Sequence, residues 1–81
     1  AVFTDGALDK RTKQLIAVAV AHVTQCPWCI EGHVKAATRE GASPEQIMEA
    51  IWVAAEMRAG ATSAHAFKTV ELLDDLARRG G

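Results

Sequence analysis

The sequence predicts a small all-α domain, and three observations support this prediction. Hydrophobic residues make up 49% of the 81 residues, alanine is abundant and aromatic residues account for only 5%. Such a composition suits helices that pack closely against one another. Apolar residues also recur at helical spacing, and proline, serine and glycine stand where helices begin and end. We therefore expect antiparallel helices that form a single domain over residues 1–81.

The first predicted helix spans Lys10 to Thr24, with Asp9 as its N-cap. Its second part, Leu15 to Val23, is apolar on nearly every side. The valines favour a strand, but the length of the segment and its lack of turn residues favour a helix. A helix that is apolar all round must be covered all round. Because a chain of 81 residues offers little surface for this, the sequence predicts a homo-oligomer.

The second predicted helix begins near Cys26 or Pro27 and runs to Glu40. Proline is favoured in the first turn of a helix, where its missing N–H group is not needed. Gly41 follows the helix at the position where a left-handed residue commonly ends one.

The third predicted helix runs from Pro44 to about Arg58, and Ser43 and Gln46 form a capping box at its start. The segment "AGATS", residues 59–63, predicts a break or a tight bend. A last helix is expected from about Ala64 to Arg79.

The stretch "CPWCIEGH" carries the chemistry, since Cys26 and Cys29 are the only cysteines of the chain. Both lie at a predicted helix start, where free N–H groups and the helix dipole favour a thiolate. His33 follows Cys29 by one helical turn, and its side chain leans back toward the sulfur. We therefore expect His33 to take the thiol proton and to lower the effective pKa of Cys29.

Two other interpretations of the cysteines remain open at this point. Cys26, Cys29 and His33 are three candidate zinc ligands, and His22 or His65 could supply a fourth. Against zinc, the chain has no second paired-ligand motif and is rich in apolar helix. The cysteines could also be inert packed thiols, which would leave the histidine and the proline without a role.

Charge and hydropathy exclude several classes of function. The formal net charge of −1 gives no field that would recruit nucleic acid or an anionic membrane. No apolar run approaches the roughly 20 residues of a membrane span, and no signal-peptide pattern is present. A C-x-x-C pair without an export signal suggests redox or metal chemistry in a reducing compartment. We therefore expect a cytoplasmic protein.

The segment from Leu8 to about Phe67 resembles the carboxymuconolactone decarboxylase-like superfamily, and specifically its alkylhydroperoxidase-D-like branch. The motif C-x-x-C-x-x-x-H carries the resemblance, together with the "QLIAVAVAHV" helix before it and the "AGATSAHA" segment after it. This combination is far more specific than C-x-x-C alone. The decarboxylase branch matches poorly, because its reaction needs groups that bind a lactone carboxylate and does not need a dithiol.

The resemblance implies a helical trimer or hexamer with peroxidase or disulfide-reductase activity. Cys29 would attack a peroxide, Cys26 would resolve the sulfenic acid as a disulfide, and His33 would relay protons. An external dithiol or protein reductant would then restore the thiols, with no bound cofactor or metal. The alternative, from another class, is a non-enzymatic oligomeric module in which the C-x-x-C pair holds zinc or a structural disulfide.

One position departs from the peroxidase branch. That branch has a glutamate twelve residues before the first cysteine, where this chain has Gln14. An amide cannot act as a carboxylate base, so the relay is either cut or supplied by another residue. Glu31 and Glu56 are the candidates, and the apolar neighbours of Glu56 favour it as a buried catalytic base. The remaining histidines are expected to be structural (His22) or either structural or part of the site (His65).

Overall fold

The computed structural model describes residues 1–80, and within that range the protein forms three helices and no strand. Helix α1 spans Lys10–Thr24, α2 spans Pro27–Arg39 and α3 spans Pro44–Arg78. Helix α1 packs against both of the others, whereas α2 and α3 barely touch each other. The all-α prediction is confirmed, and the first two helices lie within one residue of the predicted bounds.

The predicted helix caps are present. The Asp9 carboxylate accepts a hydrogen bond from the Thr12 N–H at 2.8 Å, which satisfies one of the free donors of the first turn of α1. Ser43 and Gln46 form the reciprocal capping box of α3. Between α2 and α3, Gly41 adopts a φ of +91°, a left-handed conformation that glycine accepts without steric cost.

Helix α3 is the main difference from the sequence prediction. The break expected at residues 59–63 is absent, and one helix of 35 residues replaces the two predicted. A glycine within a helix costs only about 1 kcal/mol relative to alanine, and Gly60 has strong helix formers on both sides. The Thr62 hydroxyl donates to the Arg58 carbonyl at 3.0 Å, so its polar group is satisfied within the helix. Without a proline, these residues do not interrupt the helix.

The hydrophobic core of the single chain is small. It centres on Val18 of α1, which is fully buried against Ala37, Ala42 and Ile47. The structure extends 60 Å along its longest axis but only 24 and 21 Å along the others. The second half of α3, residues 59–78, is exposed at every position but Asp75. Much of the apolar surface of the chain is therefore uncovered by the chain itself.

No helix among residues 1–80 is long and apolar enough to cross a membrane.

Candidate functional site

The joint between α1 and α2 positions the two cysteines. Gln25 ends α1 in the left-handed conformation, with φ of 58° and ψ of 48°, and turns the chain into α2. Cys26 is the N-cap of α2 and Pro27 its first residue. Cys29 lies in the first turn, and its backbone N–H donates to the Cys26 sulfur at 3.3 Å. The predicted placement of the C-x-x-C pair at a helix start is confirmed.

The two sulfurs contact each other directly as free thiols. The Cys26 and Cys29 thiols are hydrogen-bonded to each other, and the two Sγ atoms lie 2.7 Å apart. A disulfide needs sulfurs about 2.05 Å apart. Only a small displacement therefore separates the dithiol from the bonded pair.

Cys26 is the more acidic thiol of the pair. Hydrogen bonds from the Cys29 thiol and then from the Cys29 backbone N–H hold the pKa of Cys26 below its ordinary value. Donating that same hydrogen bond to Cys26 raises the pKa of Cys29 above its ordinary value. The sequence predicted a lowered pKa for Cys29, and that prediction is wrong. The free N–H groups of a helix start point at the N-cap sulfur, and Cys29 itself supplies one of them.

His33 lies one turn after Cys29 and is held from α1. Its Nδ1 is 2.7 Å from the Gln14 Oε1. The Phe3 ring lies against the imidazole, with 5.2 Å between ring centroids and 32° between ring planes. Among the described residues, no hydrogen bond joins His33 to either sulfur. The expected contact from His33 to Cys29 is therefore not formed directly.

Cys29 and His33 instead face one apolar cavity of about 550 Å³. The first residues of the chain and one side of α1 form its other walls, with Phe3, Ile16 and Val20 among the lining side chains. Its basic wall residue, Lys13, donates from Nζ to the Thr4 carbonyl at 2.7 Å. The cavity thus brings one thiol and one imidazole together on an apolar surface. Cys26 is not among its lining residues.

The two glutamates proposed from the sequence lie away from this cavity. Glu56 is exposed on α3 and is not among the cavity residues, so the prediction that it is buried is wrong for the single chain. Of its apolar neighbours, Trp52 is 62% exposed, whereas Ile51 is half-buried against the core. Glu31 pairs with Lys35 at 3.0 Å in solvent. A relay role for Glu56 stays a prediction.

Gln14 is the site residue that the sequence argument undervalued. It was treated as the loss of a carboxylate, yet it is buried and hydrogen-bonded to His33. A signal was present, since Gln14 lies four residues before Val18 and seven before Ala21, the buried face of α1. A polar residue on such a face needs a buried partner.

The other two histidines bond to their own helices. His22 Nδ1 lies 2.7 Å from the Val18 carbonyl, and His65 Nδ1 lies 2.7 Å from the Ala61 carbonyl. The first contact agrees with the structural role predicted for His22. Within residues 1–80, no group of three or more His, Cys, Asp or Glu side chains is placed to hold a metal ion. The zinc interpretation therefore gains no support from the arrangement of its proposed ligands.

The family model for the carboxymuconolactone decarboxylase family matches residues 1–72. The chain belongs to the carboxymuconolactone decarboxylase family. The resemblance stated from the C-x-x-C-x-x-x-H motif is thereby confirmed. The match extends beyond both ends of the segment from Leu8 to Phe67, on which that resemblance was based.

Three curated proteins are similar in sequence to this chain. Uncharacterized protein 4 of the cox locus of Paracoccus denitrificans is 81% identical over 93% of this chain. An uncharacterized protein of Cupriavidus necator is 36% identical over 89% of it. Alkyl hydroperoxide reductase AhpD of Corynebacterium kroppenstedtii is 33% identical over 70% of it. The chain spans 68%, 64% and 33% of these relatives' own lengths, respectively.

Two crystal structures of the Thermotoga maritima protein TM1620 have the same fold. Each gives a TM-score of 0.68 over 99% of this chain, at 31% and 32% identity, and the match covers 75% and 84% of the crystallised chains. TM1620 is a carboxymuconolactone decarboxylase family protein for which a part in an antioxidative response has been suggested. The helical fold of the family is therefore shared by all of the described chain.

Proposed function

We propose that the protein is a thiol-dependent peroxidase or disulfide oxidoreductase with an antioxidant role. The observation that carries this proposal is the pair of free thiols in direct contact at the start of α2, one of which shares an apolar cavity with His33. Similarity to an alkyl hydroperoxide reductase supports the reaction class. The suggested antioxidative role of TM1620 supports it as well.

In this proposal Cys29 is the attacking thiol, which its position in the wall of the apolar cavity beside His33 supports. Its thiol proton passes to His33, directly or through one water, and the thiolate attacks the outer oxygen of a hydroperoxide ROOH. An S–O bond forms as the O–O bond breaks, and the departing alkoxide takes a proton to leave as ROH. Cys29 is left as a sulfenic acid. His33 is needed as a base because the pKa of Cys29 is raised.

The lowered pKa of Cys26 suits it to the second step. Its thiolate attacks the sulfenic sulfur of Cys29, an S–S bond forms, and hydroxide leaves and takes up a proton as water. An external dithiol then reduces the disulfide and is itself oxidised to a disulfide. The cycle consumes one hydroperoxide and one dithiol and yields one alcohol, one water and one oxidised dithiol, without a bound cofactor.

We further propose that the working form is a homo-oligomer, a trimer or a hexamer as in the resembling branch. Several large apolar side chains support this, since Trp52, Met57 and Phe67 on α3 are all more than 60% exposed in the single chain. Large apolar side chains left exposed along one helix favour burial against another subunit. The catalytic scheme itself needs only residues of one chain.

Peroxide consumption in the presence of excess dithiothreitol tests the activity. The unmodified protein should consume cumene hydroperoxide, and Cys29→Ser should lower the rate by about a hundredfold or more. Without dithiothreitol, Cys26→Ser should react with one equivalent of peroxide and accumulate a Cys29 sulfenic acid. The double serine variant, checked for helicity by circular dichroism, is the matched control for background reaction. An unmodified protein that consumes peroxide no faster than this control would refute the proposal.

A metal measurement separates the alternative module from the enzyme. A module that holds zinc would release the metal on denaturation. A module with a structural disulfide would show no free thiols before reduction. The proposed redox pair should instead show two titratable thiols after mild reduction, and a chelator should not change that number.

A further inference from the structure

Among residues 1–80, Gln14 is the one buried polar residue, with 8% of its surface exposed. It lies on the face of α1 that also carries Val18 and Ala21, so helix packing fixes its backbone position. Its Oε1 is 2.7 Å from His33 Nδ1 on α2, nineteen residues along the chain. This side-chain hydrogen bond joins α1 to α2 beside the cysteines.

The direction of the hydrogen bond determines what His33 can do. An amide oxygen only accepts, so Nδ1 carries the proton and donates to Gln14. A neutral imidazole holds a single N–H group, and the proton on Nδ1 therefore leaves Nε2 with its lone pair. Nε2 is then the ring atom that can take a proton from a thiol.

We propose that Gln14 is a positioning residue that holds His33 as the Nδ1–H tautomer, with Nε2 as the base for Cys29. The inference rests on the proposed peroxidase function and deepens it. A nucleophile, a base and a third group that orients the base form the general arrangement of activated thiols and hydroxyls. Here an amide takes the third position. The relay thus lacks a carboxylate but keeps the orienting hydrogen bond.

The surroundings of His33 supply no other orienting acceptor. The N-terminal segment contributes the Phe3 ring, which packs on the imidazole. From α1, Lys13 lines the same cavity with its ammonium bonded to Thr4, and from α2, Cys29 lines it as a protonated thiol. No carboxylate is among the cavity residues. Packing against Phe3 restrains the ring plane, but only Gln14 selects which nitrogen carries the proton.

Nitrogen-15 NMR of the histidine rings in mildly alkaline solution, where imidazoles are neutral, reads the tautomer directly. His22 and His65 provide matched references in the same spectrum, because each places Nδ1 against a backbone carbonyl, which only accepts. His33 should show the same Nδ1–H pattern. In Gln14→Met, which keeps length and removes the acceptor, only His33 should change, to the mixture of tautomers found in a free imidazole.

Activity gives the second readout. Gln14→Met should lower the rate of peroxide reduction by about tenfold, because a His33 that is no longer oriented loses part of the rate enhancement of a general base. Gln14→Glu, which keeps the acceptor, should retain the Nδ1–H tautomer and the parental rate or exceed it. A His33 ring that is Nε2–H in the unmodified protein would overturn the inference, even if Gln14→Met fails to fold. An unchanged tautomer or rate in folded Gln14→Met would overturn it as well.

The two proposals fail in different ways. If the unmodified protein reduces no peroxide, the proposed function fails, and the tautomer spectra together with the alkylation rate of Cys29 in Gln14→Met still decide the role of Gln14. If the protein is an active peroxidase and the His33 spectrum does not depend on Gln14, the function stands and the positioning role is refuted.

Discussion

The exposed half of α3, residues 59–78, provides a quantitative prediction about assembly. Phe67, Val70 and Leu73 lie at spacings of three residues and are 72%, 53% and 60% exposed. Complete burial of such a side chain is worth about 1.5–3 kcal/mol. Burying what remains exposed on these three should therefore contribute about 4 kcal/mol per chain, or roughly a thousandfold in an association constant.

The perturbation is Phe67→Glu. It removes about 1.5 kcal/mol of apolar burial and requires a carboxylate to lose water in the interface. We expect the subunit dissociation constant to rise by about a hundredfold or more. Lys68→Glu is the matched control, because it introduces a carboxylate one residue away, where no large apolar side chain is lost, and it changes the net charge by two units instead of one.

Sedimentation and light scattering over a range of micromolar concentrations measure the effect. The unmodified protein and Lys68→Glu should sediment as oligomers, and Phe67→Glu should dissociate within the range. Thermal unfolding of the unmodified protein should also depend on its concentration, since subunit contacts stabilise only the folded state. A monomeric unmodified protein, or a Phe67→Glu variant that assembles as tightly as the control, would refute the reasoning.

Three further predictions concern the site. Mild oxidation should remove two hydrogens per chain as Cys26 and Cys29 form a disulfide, and mass spectrometry that found a stable Cys29 sulfinic acid beside free Cys26 would contradict the resolving role. Because the pKa of Cys26 is lowered and that of Cys29 is raised, Cys26 should ionise at a lower pH than Cys29. Limiting iodoacetamide at neutral pH should therefore label Cys26 before Cys29, as read by peptide mapping, and preferential labelling of Cys29 would reverse that order of acidity. Glu56→Gln tests the predicted relay role of Glu56: a fall of about a hundredfold in the rate of peroxide reduction would establish it as the relay base, whereas the parental rate would refute that role and agree with its exposed position outside the cavity.

Local signals in the sequence predicted the helix starts well. The caps at Asp9 and Ser43 and the proline after Cys26 each involve neighbours within four residues, so the short-range pattern contains the whole interaction. The same reasoning placed the dithiol at the start of α2. The prediction of a break near Gly60 was wrong because a single glycine is a weak helix breaker. The residues beside it determine whether the helix continues.

The details of the site depended on contacts between helices. The bond between Gln14 and His33 joins residues nineteen positions apart, and no local pattern specifies which polar group meets which. Apolar neighbours of Glu56 indicated burial, but they cannot distinguish a core face from one that the single chain leaves exposed. The order of acidity within the dithiol, by contrast, is a local detail that the sequence argument also missed, because it depends on how the Cys29 thiol and then the Cys29 N–H meet the Cys26 sulfur.

The use of a cysteine as a helix cap links the redox state of the protein to the stability of α2. The Cys29 thiol and then the Cys29 backbone N–H lower the pKa of reduced Cys26, so its sulfur ionises more readily at the first turn of α2. Disulfide formation removes this ionisable thiol and leaves a neutral sulfur, so the helix start interacts more weakly with the oxidised pair. Stabilising the reduced form of a dithiol raises its reduction potential. The oxidised protein should therefore accept electrons readily from an external dithiol, and the strength of that tendency is determined at the first turn of a single helix.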